Sequence, residues 1–217
     1  MNRRLVSKVY DNYARIYNIL YGQVLDAGRN KAIEMMEISF QNKILEIGIG
    51  TGLSLKKYPN GKDIEITGID LSEKMLSKAK IQAQRLSGMK IDIKLMDGEQ
   101  TAFPSGFFDK VVLMYVYSVT PNPKELMKEV KRICKPLGDI YLVNHFSHSK
   151  ENELSFFERA VSSFSEKIGF RSDFSYQKYV SDLKMQIVTL ENANIFSLTK
   201  VIHLKNVTAK CSNDKVK

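Results

Sequence analysis

Three glycines, spaced every second residue, follow a short apolar run in the segment KILEIGIGTGLSL, residues 43–55. Glycine is costly to order, so Gly48, Gly50 and Gly52 predict a place where a side chain would be in the way. A strand that ends in a glycine-rich turn and leads into a helix is typical of nucleotide-binding sites, because the turn lets a ligand approach the backbone. The segment therefore predicts a nucleotide-type ligand at this turn.

The spacing of these glycines and two acidic residues narrow the choice of ligand. The dinucleotide pattern G-x-G-x-x-G needs a third glycine where the chain has Leu53, and the turn lacks the phosphate-binding pattern G-x-x-x-x-G-K-[ST]. Glu46 precedes the first glycine by two residues, and a carboxylate there would repel a pyrophosphate but suit a ligand with a positive amino group. Asp70, at the end of the next predicted strand, has the position of an acid that binds ribose hydroxyls.

Such a site needs a sheet that brings strand ends together, and the hydrophobic pattern predicts one. Strands and helices alternate from residue 43 to residue 146, which favours a parallel sheet with helices on both faces. The predicted strands are 43–48, 64–70, 90–97, 108–117, 138–146, 184–192 and 195–206. The predicted helices are 3–25, 28–38, 54–58, 72–86, 122–134 and 151–170.

Composition limits the class of protein. The 217 residues suffice for one domain with small additions, and a hydrophobic content of 43% excludes a disordered chain. Lys and Arg exceed Asp and Glu by nine, which indicates an anionic partner such as nucleic acid, a phospholipid surface or an acidic substrate; a generally basic composition is the alternative. No apolar run reaches the roughly 18 residues of a membrane-spanning helix. Cys134 and Cys211 lack metal-ligand spacing and favour a reduced, cytoplasmic protein.

Four motifs in order resemble those of class I methyltransferases that use S-adenosylmethionine. They are ILEIGIGTGLSL, ITGIDLSEKML and the stretch IKLMDGEQTAFPSGFFDKVVLMYVYSVTPNP, which holds the third and fourth. The resemblance covers about residues 40–210 and implies an α/β, Rossmann-like domain with a mostly parallel seven-stranded sheet. It also implies that the protein binds S-adenosyl-L-methionine and forms S-adenosyl-L-homocysteine. The cofactor-binding residues implied are Glu46, Gly48, Gly50, Gly52, Asp70, Leu71, Met75, Asp97, Gly98 and Met114.

The family resemblance gives some of these residues individual roles. Asp70 would contact the ribose, Asp97 would face the adenine amino group, and residues 114–117 would flank the methionine part. Structural alternatives remain open at this point. Gly52 could serve only strand–helix packing, Met114 could belong to the core, and Asp97 could belong to an ordinary turn.

The methyl acceptor has to be inferred from segments outside the shared core. The segment YDNYARIYNILYG, residues 10–22, resembles the entry segment Y-D-x-x-A-x-x-Y-D of bacterial phospholipid and quinone methyltransferases, with Asn18 in place of the last Asp. In those relatives the segment folds over the cofactor, and the tyrosine that matches Tyr17 faces the reacting centre. Basic residues opposite an apolar face are typical of a helix on an anionic lipid surface, although the helix could equally pack on the sheet.

Two more segments could contact the acceptor. His145, in the stretch VNHF, is expected at the carboxyl edge of the sheet, where it could bind a phosphate or accept a proton. Arg171, Tyr176 and Tyr179 offer a guanidinium for a phosphate, hydroxyls, and ring faces that suit a methylated ammonium. Each of these could also be structural. Together with the N-terminal segment, these two segments resemble bacterial phosphatidylethanolamine N-methyltransferases that carry out all three methylations, and the two segments are the more discriminating part of the match.

The resemblance therefore predicts an enzyme that methylates the ethanolamine nitrogen of phosphatidylethanolamine and its methylated intermediates, towards phosphatidylcholine. Tyr17 and His145 are the candidate catalytic residues, and no metal is expected. A quinone or other small-molecule C- or O-methyltransferase is the alternative. A basic membrane- or nucleic-acid-binding module that retains a cofactor site is the non-enzymatic alternative. No nucleic acid is expected, because the chain lacks an Asn-Pro-Pro-Tyr-like catalytic box.

The predicted organisation has three parts. Residues 1–33 form an amphipathic helical segment that covers the active site and contacts an anionic membrane, residues 34–210 form the S-adenosylmethionine-binding domain, and residues 211–217 form a flexible tail. We expect the protein in the cytoplasm, bound peripherally to the inner face of the membrane through its first helix.

Overall fold

A seven-stranded sheet is the centre of the computed structural model, which describes residues 25–145, 185–193 and 199–207. The strands are β1 (Lys43–Ile47), β2 (Glu65–Asp70), β3 (Lys90–Leu95), β4 (Phe108–Met114), β5 (Cys134–His145), β6 (Gln186–Asn192) and β7 (Thr199–Lys205). Their order across the sheet is β3-β2-β1-β4-β5-β7-β6. β1 to β5 are parallel, and β7 runs antiparallel to both β5 and β6. The predicted mostly parallel, seven-stranded sheet is confirmed.

Helices lie on both faces of this sheet, as the sequence predicts. In the described ranges the α-helices are α1 (Asp26–Met35), α2 (Glu73–Gln84) and α3 (Pro123–Ile133). α1 and α2 bury Ala32, Leu76 and Ala79 against one face. α3 covers the other face with a stripe at helical spacing, made of Leu126, Met127, Val130 and Ile133. No helix in these ranges has the length and apolar character needed to cross a bilayer.

The central strand β1 is buried on both faces, as is typical of a parallel strand under two layers of helices. Ile44 packs in the apolar cluster beneath α1 and α2, whereas Leu45 and Ile47 pack in the cluster beneath α3. Because side chains alternate along a strand, Glu46 points to the same side as Ile44. A carboxyl group is thereby placed in an otherwise apolar layer directly before the glycine turn.

Several boundaries differ from the predicted ones. β5 begins at Cys134 rather than at residue 138, because the chain leaves α3 directly into the strand and a bulge then shifts its pairing with β4. β4 ends at Met114 rather than at residue 117, because Tyr115 has a φ of 64° and breaks the strand. The predicted helix at 54–58 is a single 3₁₀ turn, Leu55–Lys57. The helix predicted at 28–38 is α1, which begins at Asp26 and ends at Met35.

Candidate active site

A cavity opens at the carboxyl ends of β1, β2 and β4, where the strand order reverses direction. Ligands of open α/β sheets bind at this position. The cavity is lined by the turn after β1, the start of α2, the loops after β3 and β4, and one residue of α1. Among the sequence-predicted cofactor residues, those lining it are Glu46, Gly48, Gly50, Asp70, Leu71, Met75, Asp97, Gly98 and Met114.

The three glycines of the turn all have positive φ, but they have different neighbours. A Cβ on Gly50 would meet nothing nearer than Met75 Sδ at 3.9 Å, so this glycine keeps open space beside the backbone. A Cβ on Gly48 would lie 2.0 Å from a methyl group of Val116. A Cβ on Gly52 would lie 3.0 Å from Ala79 Cα, and Gly52 does not line the cavity. Gly50 therefore leaves room for a ligand, whereas Gly52 allows the turn to pack on α2.

Backbone amides hold the Asp70 carboxylate at the cavity wall. Its Oδ2 accepts from the Gly50 N–H at 2.9 Å, and its Oδ1 accepts from the Ser72 N–H at 2.9 Å. Ser72 also caps α2, since its hydroxyl accepts from the Met75 N–H at 3.2 Å. The acid predicted to bind ribose is thus fixed relative to both the glycine turn and α2.

The loop after β3 is joined to the loop after β4 by Glu99. Asp97 Oδ1 accepts from the Glu99 N–H at 2.9 Å, which closes a local turn. The buried Glu99 carboxylate accepts from Thr120 Oγ1 at 2.8 Å and from the Asn122 N–H at 2.8 Å. A further bond comes from Asn122 Nδ2 at 2.9 Å. Two loops that line the same cavity are therefore held by one carboxylate.

Glu46 lines the cavity but is also bonded within the protein. Ser54 Oγ donates to its Oε1 at 2.7 Å, and Tyr58 Oη donates to its Oε2 at 2.9 Å. Burial raises the pKa of Glu46 to about 7, although the bonds from Ser54 and Tyr58 and the charge of Arg29 act in the opposite direction. Burial, together with the Glu46 charge, also raises the pKa of Tyr58. The predicted contact of Glu46 with a ligand amino group stays a prediction.

Arg29 and Tyr115 bring a cation and an aromatic ring to the cavity. Arg29 lies on α1, is 6% exposed and contacts Asp26 Oδ1 at 3.4 Å. Its Cζ lies 5.7 Å from the centre of the Tyr115 ring. Nothing in the local sequence marks Arg29 as a site residue, because only the packing of α1 against β5 and β7 brings it to the cavity.

The residues predicted to contact the acceptor are only partly described. His145 is the last residue of β5, where its backbone pairs with Thr199 at the carboxyl edge of the sheet. Tyr17, Arg171, Tyr176 and Tyr179 lie outside the described residues. Their roles, and that of the His145 side chain, stay predictions.

A glycine turn with free space at Gly50, a fixed acid at Asp70 and a reversal of strand order together define a nucleotide-type site on a Rossmann-like sheet. Residues 45–142 match the model of a methyltransferase domain family. A solved S-adenosylmethionine-dependent methyltransferase from Aquifex aeolicus shares the fold at a TM-score of 0.64 and 14% identity, covering 95% of this chain and 100% of that one.

Two curated relatives are similar to this chain in sequence. A phosphatidylethanolamine N-methyltransferase from Cereibacter sphaeroides is 34% identical over 185 residues, which cover 84% of this chain and 88% of that protein. A demethylmenaquinone methyltransferase from Tropheryma whipplei (strain Twist) is 28% identical over 149 residues, covering 68% of this chain and 60% of that protein. The chain belongs to the class I S-adenosylmethionine-dependent methyltransferase family, and S-adenosylmethionine is its cofactor.

Proposed function

We propose that the protein methylates the ethanolamine nitrogen of phosphatidylethanolamine, and of its methylated intermediates, towards phosphatidylcholine. The observation that carries this proposal is the 34% identity to the Cereibacter sphaeroides enzyme over 84% of the chain. That similarity spans 185 residues, many more than the methyltransferase domain at residues 45–142, so it extends into the segments outside the shared core from which we infer the acceptor.

The described residues fit the cofactor and suggest how they would orient it. S-adenosylmethionine supplies a methyl group on a sulfonium, whose departure as a thioether leaves no charge to stabilise. The protein therefore has to position the acceptor about 3 Å from that methyl group, opposite the sulfur, and to exclude water. Asp70 would bind the ribose, the open space at Gly50 would admit the cofactor against the backbone, and Met114 would line the methionine end.

Methylation of the ethanolamine nitrogen also requires the enzyme to remove a proton and to bind the lipid phosphate. An ethanolamine ammonium has no lone pair, so a proton must leave before methyl transfer; His145 or Tyr17 would accept it. The phosphate of the lipid would be bound by Arg171 with a hydroxyl of Tyr176 or Tyr179. The tyrosine rings would tolerate the growing and finally fixed positive charge of the product through cation–π attraction.

The basic N-terminal segment would bring the enzyme to its substrate. Residues 1–33 carry six Lys and Arg residues, but Arg29 is buried at the cavity and is not available to a membrane. The others include Arg3, Arg4, Lys8 and Arg15, and each basic residue near an anionic surface contributes about 1 kcal/mol, screened by salt. We propose peripheral binding at the inner face of the cytoplasmic membrane.

Labelled S-adenosylmethionine and defined acceptors test the proposed reaction. We expect methyl transfer to phosphatidylethanolamine and to its monomethyl form in vesicles, and none to demethylmenaquinone. Arg171→Ala should lower lipid turnover by about thirtyfold or more, the effect of losing one desolvated charge contact. Arg85→Ala, at an exposed arginine where α2 ends, is the matched control and should keep full turnover. Full lipid turnover in the Arg171 variant would contradict the proposed phosphate contact.

A quinone acceptor is the second candidate, because the demethylmenaquinone methyltransferase of Tropheryma whipplei is also similar to most of this chain. A quinone has no phosphate and gives Arg171 no role. Turnover of demethylmenaquinone alone would establish this candidate and overturn the lipid proposal. Vesicle co-sedimentation tests membrane binding: equal binding to neutral and anionic vesicles, or binding that survives deletion of residues 1–8, would contradict it.

A further inference from the structure

The methionine end of S-adenosylmethionine is a zwitterion, and the cavity carries a complementary pair of groups. In the part of the chain that the structure describes, Arg29 is the only Lys or Arg residue among those lining the cavity, and Glu46 lines it too. Burial raises the pKa of Glu46 and the charge of Arg29 lowers it, so the two groups interact electrostatically. A guanidinium near a carboxyl group suits an α-amino acid, whose carboxylate and ammonium share one carbon atom.

Tyr115 contacts the guanidinium of Arg29 and also the start of the helix that carries Arg29. The Tyr115 ring centre lies 5.7 Å from the guanidinium carbon, within the range of a cation–π contact. The Tyr115 hydroxyl donates to the Leu25 carbonyl at 2.9 Å. The same carbonyl accepts the backbone N–H of Arg29 at 3.3 Å. One tyrosine therefore fixes both the helical turn that carries Arg29 and the charged end of its side chain.

The backbone on both sides of this contact is adapted to it. Tyr115 has a φ of 64°, a conformation that residues with a side chain rarely adopt, and its N–H donates to the Val143 carbonyl at 2.8 Å. Gly28 provides the space on α1, since a Cβ there would lie 2.1 Å from the Tyr115 hydroxyl oxygen. Backbone strain of this kind persists where the surroundings enforce it and is concentrated at functional sites.

We propose that Arg29 binds the α-carboxylate of the cofactor's methionine part and that Tyr115 is the positioning residue that holds Arg29 there. An acceptor phosphate is the other anion that could meet Arg29, but the nearby carboxyl group of Glu46 favours the ammonium of an amino acid and disfavours a phosphate. The inference concerns the cofactor alone and does not depend on which acceptor the enzyme methylates.

Calorimetry with two ligands measures the contribution of the α-carboxylate to binding affinity. The ligands are S-adenosylhomocysteine and its decarboxylated analogue, which differ in that group only. We expect the wild type to bind S-adenosylhomocysteine about tenfold or more tightly than the analogue, the scale of a charge-assisted hydrogen bond. Arg29→Met should bring this ratio close to one; if that variant does not fold, Arg29→Lys should give an intermediate ratio. Tyr115→Phe keeps the ring and should lower the ratio roughly threefold, with unchanged affinity for the analogue.

Tyr141→Phe is the matched control. The Tyr141 hydroxyl donates to the Met35 carbonyl at 3.2 Å, at the opposite end of α1, and Tyr141 does not line the cavity. This variant should lose a similar hydrogen bond and keep the wild-type ratio of affinities. An unchanged ratio in Arg29→Met, or equal weakening of both ligands in Tyr115→Phe, overturns the proposal. Loss of lipid turnover in Arg29→Met with an unchanged ratio would assign Arg29 to the acceptor phosphate instead.

Discussion

Replacing Glu46 by Gln should change the free energy of unfolding in a way that depends on pH. Burial raises the pKa of this carboxyl group to about 7 in the folded protein, whereas its ordinary value is 4.5. Between these values the folded state binds more protons than the unfolded state, so stability falls as pH rises. The difference between these two pKa values corresponds to about 3 kcal/mol of stability that the wild type loses as the pH rises from below 4.5 to above 7.

The glutamine side chain has the same shape and carries no charge at either pH. Glu46→Gln should therefore gain about 2.5 kcal/mol relative to the wild type on going from about pH 5 to about pH 8. Urea unfolding of both proteins without cofactor gives the difference in free energy of unfolding between variant and wild type at each of the two pH values. The contributions of the other titrating groups are the same in both proteins and cancel from this difference. A pH-independent loss of stability from altered hydrogen bonds to Ser54 and Tyr58 is the same at both pH values, so it cancels when the two are compared.

Glu129→Gln is a control with the opposite sign. A hydrogen bond from Arg132, with further bonds from Thr101, lowers the pKa of Glu129 to about 2. A carboxylate with a lowered pKa stabilises the fold above its ordinary pKa, so this variant should be destabilised most near neutral pH. If the stability difference between wild type and Glu46→Gln is the same at both pH values, Glu46 does not titrate in this range and the reasoning is refuted.

Three further substitutions test separate parts of the structure. Gly50→Ala and Gly61→Ala should have similar free energies of unfolding, because both positions have positive φ and no atom closer than 3.9 Å to the added methyl group. Only Gly50→Ala should lower the affinity for the cofactor, which calorimetry measures. Gly52→Ala should be less stable than Gly61→Ala by about 1–3 kcal/mol in urea unfolding, because its methyl group meets α2; equal stability would contradict the packing role. Asp139→Asn should lower the free energy of unfolding by about 3 kcal/mol, since the carboxylate, with 14% of its side chain exposed, holds Lys110, Lys205 and His203; a change below about 1 kcal/mol would contradict this.

The sheet and the glycine turn could be predicted because their signals are local. β1 is a short apolar run before glycines, α2 has Ser72 as its N-cap at the predicted position, and Asp70 ends its strand. Gly50 and Gly52, by contrast, look equivalent in the sequence. Both have positive φ, and only the position of α2 shows that one packs against a helix while the other keeps space open.

The site residues that could not be predicted from the sequence are positioned by contacts between distant segments of the chain. Arg29 reaches the cavity because α1 packs on β5 and β7, more than 100 residues further along the chain. The predicted strand at 108–117 continued through apolar and aromatic residues, but Tyr115 turns out of it to meet α1. Glu99 has partners at Thr120 and Asn122, beyond an intervening strand. No periodicity or short motif encodes such pairings.

The carboxylate of Glu99 has a consequence for anyone who redesigns this enzyme. Because it accepts from Thr120 and Asn122, the loop that carries Asp97 and the loop that follows β4 form one rigid module. Grafting residues 115–122 from a methyltransferase of different acceptor preference would leave a buried charge unsatisfied unless the graft brings equivalent donors. This wall of the cavity can therefore be exchanged only as a matched pair of loops, with residue 99 and its donors transplanted together.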